Sequence, residues 1–390
     1  MSHVLKHWRE AATLLLVAKA MVPVVTSYQT TNFEVLMLKR SGKSKFMPKL
    51  HVFPGGVAHD SDFSPEWLEL FSQAGKDVVK NMQIFLERGG KGAYMFSRTR
   101  PEEFSKIHSE LAFRICAIRE TFEESGVLIA RDLNHVRNEQ ITGKDHPISG
   151  KSSVLSDSIL KPWRERVDND ASQFIAMCKE LNLLPDIWSL YEWSNWLTPI
   201  LPGQHGQTTA RRYDTAFYLC VLDYTPNAEH CAKETTELEW TSASGFLLKN
   251  LDEKNPLHLA SPQIIELGRI LRFSDAEKLK QFSWERSACR AQCFYPVTCY
   301  CDDGVLYICQ GDDLYPETPD YTGEQPPMKV EGTVLSLRNK YPNMYRSEMT
   351  SGPKGMEETI ICNIKMADGQ VSPLFIDRTM EYQFKSVSTL

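Results

Sequence analysis

Between Ser109 and Ser125 this chain of 390 residues carries a segment with few structural options. Leu111, Ile115, Ile118 and Phe122 recur at spacings of four, three and four. That is one apolar stripe on a helical period, and it has to be buried against another layer. Gly126 follows, the residue wanted just past a helix end, where the backbone turns left-handed. The same segment holds Arg119, Glu120, Glu123 and Glu124. Positions i, i+3 and i+4 share a helix face, so the three glutamates are expected to point one way, roughly opposite the stripe. Crowded carboxylates need positive charge between them. Arg119, four residues before Glu123, is placed to hydrogen-bond it and hold its rotamer. A divalent cation would supply the rest, and oxygen ligands suit Mg²⁺ or Mn²⁺. A bare E-x-x-E-E is more often a solvated acidic surface. Here the cluster sits at a helix end before a glycine, and a Gly-Gly turn after a strand lies upstream.

Around this helix the pattern alternates between strand and helix signals. Residues 11–40 read as a β-meander with a turn around "SYQTTN", and Leu50 to Gly56 as a short strand ending in a Pro-Gly-Gly turn. Residues 60–107 are mostly helical, with serine or glycine punctuation at the ends. "ASQFIAMCKELNLL" reads as an amphipathic helix and Thr215 to Tyr224 as a strand. Trp240 to Asn250 turns into a helix, and one or two more follow in "SPQIIELGRILRFSDAEKLKQF". From about Ala291 short β-like runs alternate with loops. These runs predict an α+β architecture with two parts. The first is a domain over 8–290 with an insertion at about 60–108; the second is a C-terminal extension over 291–390.

Composition removes several classes. The formal net charge is −6, which gives no basic excess for wrapping nucleic acid. The apolar N-terminal run is interrupted by Glu10 and Lys19, far short of the ~20 residues a membrane span needs. Ten cysteines without a secretory signal point to free thiols in a reducing compartment, including the C-x3-C-x5-C-x-C group, whose spacing is not a familiar zinc pattern.

With these residues in view, the chain resembles the Nudix hydrolases. Their signature is a glycine, five residues, a glutamate, seven residues, then R-E-aliphatic-x-E-E-x-G-aliphatic. Arg119, Glu120, Glu123, Glu124, Gly126 and Val127 reproduce its second half, and Gly56 resembles its first glycine. Two departures stand out. About fifty residues intervene where the family has few, so an insertion splits the box. Counting back from Arg119, the position of the first glutamate holds Leu111, with Glu110 one place off, and Thr121 replaces an aliphatic residue. "LMLKRSGKSKFMPKLHVFPGG", Leu36 to Gly56, is similar to the segment before the box in the coenzyme A diphosphatase branch, as are "SNWLTP" and "RRYDTAFYL".

The resemblance implies an α/β/α sandwich with a mixed sheet. It also implies metal-dependent hydrolysis of the diphosphate of coenzyme A or acyl-coenzyme A to 3′,5′-ADP and (acyl-)4′-phosphopantetheine. Glu120, Glu123 and Glu124 would hold the metal, with Arg119 orienting a glutamate. The general base is a box glutamate or one from a later loop, and "KETTELEW" offers Glu234, Glu237 and Glu239, of which Glu237 is favoured. Gly55 and Gly56 would let backbone approach the phosphates. Arg40, Lys43, Lys45 and Lys49 are candidates for the 3′-phosphate, each weighed against a solvated loop cation. Trp196 is an adenine platform or a core residue, Arg212 a ligand contact or the ion-pair partner of Asp214, and His205 a loop histidine. Trp67, Leu68, Leu70 and Phe71 of the insertion form either a pocket for the pantetheine or acyl arm or a small self-contained core. Other substrates remain open, namely NADH, ADP-ribose or an RNA cap, as does a non-catalytic Nudix module. The C-terminal Ser388-Thr389-Leu390 is a weakened form of the peroxisomal address. The expected location is the peroxisome, through an import receptor, with cytosol and mitochondrion as alternatives.

Overall fold

Period-two alternation along the first strand sorts the molecule into layers. The computed structural model describes residues 8–42, 48–87, 94–138, 147–153, 155–204, 212–231, 235–289, 291–352 and 355–376. In β1 (Trp8–Val25), Ala12, Leu14, Leu16 and Ala18 enter one hydrophobic cluster, and Leu15 and Val17 enter another. Successive side chains of a strand leave opposite faces, so two clusters mean a sheet covered on both sides.

β2 (Thr30–Arg40) pairs antiparallel with β1, and β3 (His51–Val52) extends β2. β4 (Gly55–Val57) pairs with residues 11–13 of β1. β5 (Ala130–Asp132) and β6 (Leu183–Pro185) form a separate two-stranded ribbon. β7 (Tyr191–Leu197) runs antiparallel to β8 (Arg212–Leu222), which lies parallel to β1. β9 (Thr235–Thr241) joins β2, and β10 (Cys293–Phe294) joins β7 in parallel. The mixed sheet therefore has the order β10-β7-β8-β1-β2-β3, with β4 on β1 and β9 on β2.

The acidic helix, Ser109–Ser125, packs on the face that carries Leu14 and Leu16. Helices Ala243–Asn250, Ser261–Ile270 and Ala276–Arg286 cover the other face. The acidic helix is not two-faced. It is buried on nearly every side, Phe113, Arg114, Ala117 and Thr121 as well as the stripe. Its outer side is enclosed by the insertion and by helices Asp157–Asn169 and Gln173–Glu180. Thr121 is tolerated at an apolar position because its hydroxyl bonds the Ala117 carbonyl at 2.7 Å.

Within the insertion, Trp67, Leu70 and Phe71 are buried in that same cluster, Trp67 against Phe174 and Phe71 against Trp188, while Leu68 is exposed. They neither line the main cavity nor form a core of their own.

The C-terminal part builds a second sheet from β11 (Val297–Tyr300), β12 (Gly304–Ile308), β13 (Met328–Lys329), β14 (Tyr345–Gly352) and β15 (Gly355–Cys362), in the order β13-β11-β12-β14-β15. One face of it holds a small core of Cys299, Leu306, Ile308, Leu314, Val334 and Leu337. Cys309 and Tyr345 turn the other way, into the core of the first sheet. The chain then runs along helix Ser261–Ile270, with Leu374 N–H on the Gly268 carbonyl at 2.9 Å. All ten cysteines are free thiols, and no described helix is long and apolar enough to cross a membrane.

Candidate active site

The acidic helix stops where its four carboxyl-terminal carbonyls need a turn. Gly126 supplies it at φ 75°, its N–H bonding the Phe122 carbonyl. Just before this stop, the helix presses its acids against β4. Gly55 N–H donates to Glu124 Oε2 at 2.9 Å, and Glu124 is buried. A side chain on Gly56 would put its Cβ 2.3 Å from Glu120 Oε2. The bare backbone is thus what lets the Glu120 carboxylate sit beside β4. Gly56→Ala displaces the end of a flexible side chain and not backbone. It is expected to leave the melting temperature nearly unchanged while activity falls by about a hundredfold, in the range reported when a group orienting a metal ligand is removed. A variant retaining most of its turnover would contradict the placement.

Arg119 is the hub. Its Nη1 donates to Glu120 Oε1 at 2.8 Å and Glu123 Oε1 at 2.7 Å. Its Nε and Nη2 form a fork on Asp62, both bonds 2.9 Å. Burial opposes the guanidinium charge, but Asp62 and Glu120 outweigh it and hold Arg119 firmly protonated. Burial and the neighbouring Glu120 push the Glu123 carboxyl up to about 8, against the opposing pull of Arg119. Two acids are thus being held by one cation that also serves a third.

Asp62 corrects the sequence expectation. Counting forward from Gly56 with five residues between lands on Asp62, the place of the first acid in the box. Leu111, reached by counting back, is a fully buried core residue, and Glu110 pairs with Arg114. The extra residues therefore enter after Asp62 and not before it. The acid is present, buried, and bonded to the box arginine. The forward count alone was the signal that finds it.

A cavity of about 670 Å³ opens beside Glu120 on the sheet face opposite the acidic helix. Arg40, Gly55, Gly56, Glu120 and Trp196 border it, as the sequence led one to look for, together with Arg9, Phe53 and Phe217, which it did not single out. Trp196 contributes as wall. Its ring stacks on Phe294 at 4.7 Å and its indole N–H bonds Glu266 at 2.6 Å, so it is a fixed, largely buried surface.

Two candidates stand elsewhere. Arg212 lies on the other face of β8, because Tyr213 and Thr215 take the cavity side by alternation. Its guanidinium packs over Trp8, 4.5 Å from the ring centroid, and bonds the carbonyls of Tyr321 and Thr322. It does not pair with Asp214, which is held by Arg98 and Asn195. Glu237 is exposed on β9, cross-strand from Lys39 and bonded to it at 2.7 Å, and it does not border the cavity. Glu239 pairs with Lys249 of the helix that follows β9. Lys49 is exposed and away from the cavity wall. Lys43, Lys45, His205, Glu234 and Ser388-Thr389-Leu390 lie outside the described residues.

The donor set fits a hard divalent cation in kind and in charge. Glu120, Glu123 and Glu124 are oxygen ligands, buried or mostly so, and with Asp62 they outnumber Arg119. Among the described residues, no three such side chains converge on one point in this conformation, because Glu120 and Glu123 both lie on Arg119.

Comparison with known proteins gives a consistent answer. Residues 8–270 match the profile of the NUDT19 Nudix domain, and residues 298–354 that of the NUDT19 C-terminal domain. The Xenopus laevis protein named acyl-coenzyme A diphosphatase NUDT19 is 36% identical over 389 residues, covering 97% of this chain and 98% of the relative. The Gallus gallus protein of that name is 40% identical, covering 82% of this chain and 83% of the relative. The Homo sapiens one is 33% identical, covering 80% and 82%.

Proposed function

Because this chain belongs to the NUDT19 family of Nudix hydrolases, we propose that it hydrolyses the diphosphate bond of coenzyme A and acyl-coenzyme A. The products are 3′,5′-ADP and 4′-phosphopantetheine or its acyl form. The observation that carries this reading is the meeting of Glu120 with the bare Gly55–Gly56 backbone at the mouth of a substrate-sized cavity.

Mg²⁺ or Mn²⁺ would be held by Glu120, Glu123 and Glu124. When bound, such a cation neutralises diphosphate oxygens and lowers the pKa of a coordinated water. The chain's own residues supply the rest. Asp62 fixes the Arg119 guanidinium from one side, and Arg119 fixes Glu120 and Glu123 from the other. The Gly55 N–H orients Glu124. Gly56 leaves the approach to Glu120 clear for phosphate oxygens, and Arg40 and Arg9 stand on the wall to meet their charge. Glu120 and Glu123 rest on Arg119 before substrate arrives, so bringing them together with Glu124 on a cation takes a further side-chain movement.

The direct test is incubation of the protein and a Glu124→Gln variant with Mg²⁺ and coenzyme A, acyl-coenzyme A, NADH, ADP-ribose and capped RNA, with chromatographic separation of products. The expected result is cleavage of the two coenzyme A substrates by wild type alone. Cleavage of another diphosphate with coenzyme A intact would refute the substrate assignment.

A second expectation concerns pH. In the folded, metal-free chain Glu123 holds its proton up to about 8, against 4.5 for an ordinary glutamate. The folded state therefore binds more protons than the unfolded chain in that window, and stability falls as pH rises through it. Melting temperatures measured across this range should decline in chelator, and Mg²⁺ should flatten the decline. A slope identical with and without metal would count against the carboxylates as ligands.

A further inference from the structure

The far side of the cavity is built by the C-terminal sheet. Tyr307 on β12, Cys309 just beyond it, and Ser347 and Met349 on β14 border the cavity. They share one face, with Tyr307 paired to Ser347 in register, while Leu306 and Ile308 enter the small core behind. Arg346, between Tyr345 and Ser347, turns to that rear face and bonds Asp312. The roof is tied to the helix below it at two places, Tyr345 by Arg269 and β15 by Ser261. Glu358 on β15 accepts hydrogen bonds from Ser347 at 2.5 Å and from Ser261, at the start of helix Ser261–Ile270, at 2.6 Å.

The floor can be read from strand register. Val57 of β4 pairs with Ala11 of β1, Ala11 with Thr215 of β8, and Thr215 with Trp196 of β7. Three strand spacings carry this row about 14 Å from the Glu120 end to the Trp196 end. The two ends differ in chemistry. The cations facing the cavity, Arg9 on β1 and Arg40 at the end of β2, lie on the β4 side of β8. Toward β7 the walls are Trp196, Leu197, Pro199 and Pro296, relieved by the hydroxyls of Thr198 and Thr215. A bisphosphorylated nucleoside needs the cationic end. An uncharged amide chain with an apolar tail matches the other, hydroxyls serving amides and apolar wall serving tail.

We propose that the acyl-pantetheine arm runs along this floor beneath β12 and β14, so that the C-terminal sheet, and not the helical insertion, reads the acyl group. This rests on the diphosphatase reading above. It relocates the acyl site to the face opposite Trp67 and Phe71, which are spent in the core around the acidic helix.

Two measurements test it. A coenzyme A thioester whose acyl chain ends in a diazirine is photolysed on the intact wild-type protein in chelator, and the labelled peptides are mapped. Label is expected within residues 304–309, 345–349 or 215–217. Label within 66–86, or in none of these segments, would overturn the proposal. In parallel, Tyr307→Trp narrows the roof and Tyr307→Ala widens it. The ratio of kcat/KM for a long-chain thioester to that for free coenzyme A should fall about tenfold or more in the tryptophan variant, and it should hold or rise in the alanine variant. An unchanged ratio in both would also overturn it. The mapping needs neither turnover nor a variant. A wild-type protein that cleaves no coenzyme A yet labels on the roof would refute the diphosphatase reading while leaving the arm's location supported.

Discussion

Glutamine in place of Glu124 should lower kcat for coenzyme A by more than about a hundredfold, beyond the 10–100-fold typical of residues that only orient a metal ligand. The fold should survive. Glu124 is buried and accepts the Gly55 N–H through one carboxylate oxygen, and a glutamine carbonyl of the same size keeps that bond. What it cannot keep is the negative charge that a divalent cation requires. Glu120→Gln is expected to behave alike, since its carboxylate stands against Gly56 at the cavity mouth. Kinetics beside a thermal melt separate the two effects. Near-wild-type turnover in either variant would remove the acidic helix from the chemistry.

Asp62→Ala should act chiefly on stability, lowering the unfolding free energy by about 3–5 kcal/mol, the cost of leaving one member of a buried ion pair alone. Both partners are almost fully inaccessible, and the pair is a two-bond fork. Asp62 also accepts the His59 N–H at 2.8 Å, so the start of the insertion loses an anchor as well. Urea unfolding gives the difference directly. A change under about 1 kcal/mol would mean that Glu120 and Glu123 suffice for Arg119.

These two residues mark the boundary of what the sequence made legible. The acidic helix, its glycine stop and the Pro-Gly-Gly turn were readable because each is a local signal, a period or a turn preference. Arg119 and Glu123 were readable because four residues on a helix fix a contact. Asp62 is out of reach of a count back from the intact half of the box, because the extra residues fall between it and the acidic helix. Arg212 and Asp214 share a strand face, yet each finds its partner far along the chain, Tyr321 and Thr322 for one and Arg98 for the other. Glu237 was drawn off by a lysine directly across the sheet. Nothing in the periodicity of residues 304–349 states which surface they will cover. That is decided by packing, in this case the parallel addition of β10 to β7 and the tie from Glu358 to Ser261.

Walls drawn from Arg9 at one extreme and Glu358 at the other have a consequence for biogenesis. Domains emerging from the ribosome generally fold amino-terminal part first. The sheet and its acidic helix can therefore form while the strands that roof them are still being translated. At that stage the groove is open along its length, and a nascent chain should not yet discriminate among thioesters. Premature termination upstream of Tyr345 would leave that immature groove as the finished product, with Phe217 on its floor opened to water and to the quality-control machinery.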